Sequence, residues 1–141
     1  MSDSEQIIDQ AKTLIATKQF AAAKQLLDTL PLNVLATLEV SKLMVQNKFA
    51  SVADKAYSIE SLEQVLKQNP NNLLAHYYIS THFIVAEQYE FALEHLLTIM
   101  RLDRKFKDDI GHKSILGVFN LLDNQGTLVN RYRAKMSSLL Y

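Results

Sequence analysis

The sequence predicts an all-α fold of antiparallel helix hairpins with no sheet. Three observations carry this. Helix breakers are scarce, with three Gly and two Pro in 141 residues. Apolar residues recur at helical spacing in almost every stretch, and valine-rich alternating runs are absent. A local pattern of turn, aromatic residue and then a small residue three positions on occurs twice. It reads Lys18-Gln19-Phe20-Ala21-Ala22-Ala23 and Glu87-Gln88-Tyr89-Glu90-Phe91-Ala92.

Taken in order, Ser2, Asp3 or Ser4 caps a first helix running to about Lys18, with Ile7, Ile8, Ala11, Leu14 and Ile15 on one face. Phe20, Ala23, Leu27 and Leu30 line its partner, and Pro31 ends it, so residues 4–31 form one hairpin. A third helix runs from Leu32 to about Asn47. Its partner lies at Ile59–Gln68, with Ile59, Leu62, Val65 and Leu66 inward, which makes 32–69 the second hairpin. Pro70 then stops the chain, and Asn71 or Asn72 caps the next helix. That helix, Leu73 to Ala86, is apolar almost all round and should be sandwiched between others. Tyr89, Ala92, Leu93, Leu96, Leu97 and Met100 face inward from the helix after it. Glu87, Glu90 and Glu94 lie near its start and Arg101, Arg104 and Lys105 near its end, as the helix dipole favours. Residues 70–106 are thus the third hairpin. Asp108 or Asp109 caps a helix carrying Ile115, Leu116, Val118, Phe119 and Leu122. A turn at 123–126 leads to a last helix, Thr127 to Leu140, and the pair 107–141 closes the chain.

The recurring pattern resembles the tetratricopeptide repeat (TPR), in which a small residue lets the two helices of a hairpin approach closely. The resemblance implies about eight helices stacked into a short right-handed solenoid. The terminal pair lacks the pattern, as capping units often do. Pro31 and Pro70 end equivalent hairpins yet lie 39 positions apart. The repeat period is ~34, so roughly five residues are surplus. They fall at Lys48–Ala56, as a longer turn or an extra helical turn.

Composition is that of an ordinary globular chain, with 48% hydrophobic and 21% charged residues. No apolar run reaches the ~18–20 residues of a membrane span. Without cysteine, the chain has no disulfide, thiolate metal site or cysteine nucleophile, which fits a cytoplasmic protein. A formal net charge of zero argues against a nucleic-acid binder. The charge is uneven, however. Residues 1–100 hold seven Lys and Arg against eleven Asp and Glu, whereas residues 101–141 hold eight against four. The basic end is either a solvated surface or a docking face for an acidic partner.

Catalytic and metal signatures are absent. His76, His82, His95 and His112 form no i,i+4 pair and no HExxH motif. Lys105 and Lys107 occupy positions where a calcium loop needs ligands. Gly111, Gly117 and Gly126 are isolated, so there is no phosphate loop. Neither enzyme activity nor a metal or cofactor is expected. His76, Tyr77 and His82 are candidates to line a shallow peptide groove, with core packing the competing explanation. Lys12, Lys42 and His76, with Glu39 among them, match a carboxylate-gripping TPR groove poorly.

The C-terminal part carries a more specific likeness. Arg101-Leu102-Asp103-Arg104, Asp108-Asp109, Gly111-His112-Lys113, Phe119-Asn120-Leu121-Leu122, Leu128-Val129, Arg131-Tyr132-Arg133 and Leu139-Leu140-Tyr141 resemble the end of the bacterial chaperedoxins, the YbbN/CnoX family of thioredoxin-like co-chaperones. In that family a thioredoxin-like domain precedes a TPR domain. This chain has no strand-rich segment and no Cys-x-x-Cys, so the resemblance implies the TPR part alone. It further implies protein partners, namely the chaperonin GroEL or unfolded clients. On that analogy Arg131, Tyr132, Arg133, Lys135, Met136, Leu139, Leu140 and Tyr141 form the docking segment, although Tyr132, Met136 and Leu139 serve a core equally well. A self-associating module, a homodimer through exposed apolar faces, is the alternative.

Overall fold

A computed structural model describes residues 2–140. The described residues form nine helices and no strand: α1 (Asp3–Ala16), α2 (Phe20–Leu27), α3 (Leu32–Leu35), α4 (Leu38–Lys55), α5 (Ile59–Gln68), α6 (Leu73–Val85), α7 (Tyr89–Leu102), α8 (Ile110–Leu121) and α9 (Thr127–Ser137). They divide into two compact units, Met1–Ser51 and Val52–Tyr141.

The ninth helix, beyond the eight expected, comes from a break at Ala36 and Thr37. The Thr37 hydroxyl donates to the Val34 carbonyl (2.6 Å) and accepts from the Val40 N–H (3.4 Å). This competes with helix continuation and divides the expected Leu32–Asn47 helix in two. The surplus residues around 48–55 extend α4 as helix. No Gly or Pro interrupts them, and Phe49 and Ala53, four apart, are both buried.

In the first unit, α1 is capped by Ser2, whose Oγ accepts from the Glu5 N–H at 3.2 Å. Lys18 then takes a left-handed conformation (φ 62°), and the Gln19 N–H reaches back to the Leu14 carbonyl at 2.8 Å. This is a Schellman turn, which satisfies the orphan carbonyls of α1 and turns the chain back. α2 folds onto α1, and Ala23 is fully buried. The core gathers Ile8, Ala11, Leu27, Leu30, Val40 and Leu43. Glu39 meets Lys12 at 3.8 Å, and the Asn47 Nδ2 donates to the Phe20 carbonyl at 3.0 Å. α4 therefore runs alongside α1 in the same direction, as the first helices of successive repeats do.

The second unit repeats these devices. Ser58 caps α5, and Asn72 caps α6 by accepting from the Ala75 N–H at 2.9 Å. α6 packs against both α5 and α7. Glu87 is left-handed (φ 59°), and the Gln88 N–H bonds to the Phe83 carbonyl at 2.8 Å, which reproduces the turn at Lys18. Ala92 is fully buried, like Ala23. A third such turn closes α8, with Asp123 at φ 61° and the Asn124 N–H on the Phe119 carbonyl at 2.8 Å. Leu93, Leu96, Leu97, Ile115, Val118, Phe119, Val129 and Tyr132 are almost wholly enclosed. Each such side chain contributes roughly 1.5–3 kcal/mol by leaving water.

Two expectations about the end of the chain change. Asp109 stands at the N-cap position of α8 but is itself left-handed (φ 62°) and makes no capping hydrogen bond. Its carboxylate instead faces Arg104 and His112. The last helix stops at Ser137, short of Leu140, and packs along α7. Arg131 meets Glu90 and Lys135 meets Glu94, so α9 runs in the same direction as α7.

Candidate protein-interaction surface

The periodicity of α9 sorts its side chains into two faces. Val129, Tyr132 and Met136 recur at three- and four-residue spacing and are buried. Leu139 and Leu140 are half-buried. Tyr132 and Met136, expected in a docking segment, are thereby committed to the core. Tyr141 lies outside the described residues. The exposed face holds Asn130, Arg131, Arg133, Ala134, Lys135, Ser137 and Ser138.

Two of the three α9 cations are held from α7. The Arg131 Nη2 donates to the Glu90 carboxylate at 2.7 Å, and the Lys135 Nζ lies 3.5 Å from Glu94. The Tyr132 hydroxyl donates to Glu94 as well. That bond, more than the nearby Lys135 charge, holds the Glu94 carboxyl below the usual carboxylate range. Burial and the same carboxylate raise the Tyr132 phenol. The Arg131 and Lys135 side chains also flank the Tyr132 ring, at 5.2 and 4.8 Å from its centroid. Arg133 points another way, with its guanidinium 5.5 Å from the Phe119 centroid.

Of the three residues proposed for a groove on α6, His76 and Tyr77 are buried and His82 is half-buried. His76 is buried, and its Nε2–H donates to the Pro70 carbonyl at 2.7 Å. Its Nδ1 lies 2.8 Å from the Nδ1 of His95, so one shared proton joins the two rings. His95 also stacks on Phe83. Burial, then the neighbouring His76, pushes the His95 ring down to about 4. Tyr77 is buried, which raises its phenol, helped by Tyr78. The Nε2–H of His82 donates to the Tyr57 carbonyl at 2.7 Å. The pair of histidines thus ties α6 to the turns before α5 and before itself. His95 had no signal in the sequence, because its partner lies 19 residues away.

The structure does place Lys12, Glu39 and Lys42 together. With Leu38, Leu43 and Gln46 they line an open groove of about 450 Å³ between α1 and α4. His76 is not among its lining residues.

The 103–109 loop links α7 and α8. Lys107, Asp108 and Asp109 are left-handed in succession, at φ 46°, 58° and 62°. Each acid of the loop has a partner. Asp103 accepts from the Lys105 N–H (2.9 Å), and Asp108 accepts from the Lys113 Nζ (2.8 Å). Asp109 takes the Arg104 Nε at 3.4 Å and the His112 Nδ1 at 3.2 Å. The Lys113 bond holds the Asp108 carboxyl below its usual range. Arg104 also extends its Nη1 to the Leu139 carbonyl at 3.4 Å.

Among the described residues no group of three or more His, Asp or Glu is placed to hold a metal ion. No helix there is long and apolar enough to cross a membrane.

Residues 52–141 match the family model for the tetratricopeptide repeat. Among solved structures, the chain is similar to a domain of a protein of unknown function from Vibrio parahaemolyticus RIMD 2210633. The two are 26% identical with a TM-score of 0.52, over 100% of this chain and 85% of the other. No curated protein matches the chain.

Proposed function

This chain belongs to the tetratricopeptide repeat family, whose members generally mediate protein–protein interaction, and on that basis we propose that it is the interaction module of a chaperedoxin-like co-chaperone. It binds the chaperonin GroEL or unfolded client proteins in the cytoplasm, through its repeat surfaces and its C-terminal helix. The observation that supports docking through α9 is its sorting of side chains. Its apolar side is spent on the core, while Arg131, Arg133 and Lys135 stand on the exposed side.

Deleting α9 would strip the cover from α7, so the test uses point changes on the exposed face. Immobilised chain captures purified chaperonin, and Arg133→Glu with Ala134→Glu reduces capture at least about ten-fold while helicity is kept. Equal capture by the two proteins would remove the docking claim. A second reading is self-association, favoured by large apolar side chains left in solvent: Leu32 at 84%, Tyr57 at 77% and Phe91 at 61% exposure. Light scattering across concentration decides it, and a strict monomer throughout rules the homodimer out.

A further inference from the structure

The uneven charge of the chain resolves once the pairs are known. Of the eight cations in residues 101–141, four have a carboxylate within 4 Å among the described residues. Arg104 has Asp109, Lys113 has Asp108, Arg131 has Glu90 and Lys135 has Glu94. The 103–109 loop divides its charges the same way. Its three acids are turned to partners within the loop or on α8, whereas Lys105 and Lys107 are exposed and carry no described ion pair. Left-handed backbone is costly for non-glycine residues, and side-chain contacts hold two of the three there, Asp108 by Lys113 and Asp109 by Arg104 and His112. Asp108 and Asp109 are thus paired at the surface by Lys113 and Arg104, with the Asp108 side chain still 96% exposed, while Lys105 and Lys107 stand exposed with no described ion pair.

Arg104 connects this loop to the last turn of the chain. One edge of its guanidinium meets Asp109, and its Nη1 meets the Leu139 carbonyl. That last turn needs support. Beyond Ser137 the Leu139 and Leu140 N–H groups make only short-range bonds, to Met136 (3.0 Å) and Ser137 (3.2 Å).

We propose that the 103–109 loop and the last turn after α9 form one docking element, held as a unit by Arg104, and that it takes an acidic segment of a partner protein. The occupant follows from charge complementarity to Lys105 and Lys107 and from continuity with the C-terminal segment. The inference rests on reading the chain as a protein-binding module, and it does not need that partner to be GroEL.

The test uses the full chain and a fluorescein-labelled polyglutamate peptide, read by anisotropy. The peptide binds, salt weakens it, and Lys105→Glu with Lys107→Glu reduces affinity about ten-fold. The equivalent reversal of two exposed lysines elsewhere, Lys48→Glu with Lys67→Glu, changes it less than about two-fold. No binding, or equal loss from both pairs, overturns the site. A single-stranded oligonucleotide of the same length that binds as tightly, with the same sensitivity, would show a general anion face and overturn the acidic-protein assignment. Arg104→Lys keeps the charge but loses the fork. Hydrogen exchange should then rise together in residues 105–108 and at Leu139 and Leu140, and peptide affinity should fall. Faster exchange in one segment without the other overturns the single element. Unchanged chaperonin capture on changing Arg133 and Ala134, with polyglutamate binding intact, is a failure of the co-chaperone reading alone, whereas reduced capture without polyglutamate binding is a failure of the loop site alone.

Discussion

At the scale of single residues, backbone conformation and close approach decide more than side-chain type. Lys18 and Glu87 occupy the same left-handed turn position, where glycine carries no Cβ penalty. Glu87→Gly should raise stability in urea by up to about 1 kcal/mol, less what glycine adds to unfolded-chain entropy. Gly111 has a different reason. A Cβ there would lie 3.1 Å from Ile99 Cγ2 and 3.2 Å from both the Leu96 carbonyl oxygen and Met100 Cγ. Main chain cannot yield as a flexible side chain can, so Gly111→Val should cost about 1–3 kcal/mol by overpacking α8 on α7. His95 supplies a pH signature. Its folded value is depressed to about 4 from an ordinary 6.5. Between those values the unfolded chain binds the proton and the folded chain does not. This contribution therefore leaves stability intact above pH 6.5 and lowers it as pH falls toward 4. His95→Asn should flatten that part of the pH dependence in urea titrations at pH 7, 5.5 and 4.5. An unchanged slope would mean the ring titrates normally. The glycine stands in the sequence as an isolated letter, and its demand appears only when the neighbouring helix is in place.

Among the elements, helices α1, α5 and α6 start on a side-chain cap, a signal that is local in the chain. Ser2, Ser58 and Asn72 each accept an N–H three residues on. Asp109 defeats that logic, since its carboxylate finds Arg104 and His112 instead of the helix end. The break at Thr37 was equally hidden: a threonine within an apolar run gives no warning of which carbonyl its hydroxyl will take. The contact of α9 with α7 yields a prediction at this scale. The Tyr132 hydroxyl and the Glu94 carboxylate form a partly buried, charge-assisted bond. Tyr132→Phe should cost about 1–3 kcal/mol and leave the helix content unchanged. A double-mutant cycle with Glu94→Gln should show clear coupling, and strictly additive effects would mean the bond contributes little.

For the molecule as a whole, the compact second unit and the span that matches the repeat family have the same limits, residues 52 to 141. That boundary falls inside the long helix α4, not at a hairpin end. A chain cut to residues 52–141 should therefore fold cooperatively, with tyrosine near-ultraviolet dichroism and a single urea transition. A chain beginning at 70 should not, because it loses α5 and Leu62, which packs with Ala75 and Ile79. Comparable transitions for the two fragments would count against the unit as drawn.

What the sequence by itself determined is the helical class, the two matching turns and the alanines that follow them, and the inward face of nearly every helix. These depend on periods of three to four residues and on caps, and both are written within a few positions of one another. What the tertiary structure decided is which partner each face meets. It gave α9 to α7, enclosed Tyr132 and Met136, joined His76 to His95 across 19 residues, and matched half of the C-terminal cations with acids. The reason is that these pairings span separations over which the local pattern carries no register, and only the packing of whole helices brings the partners within reach.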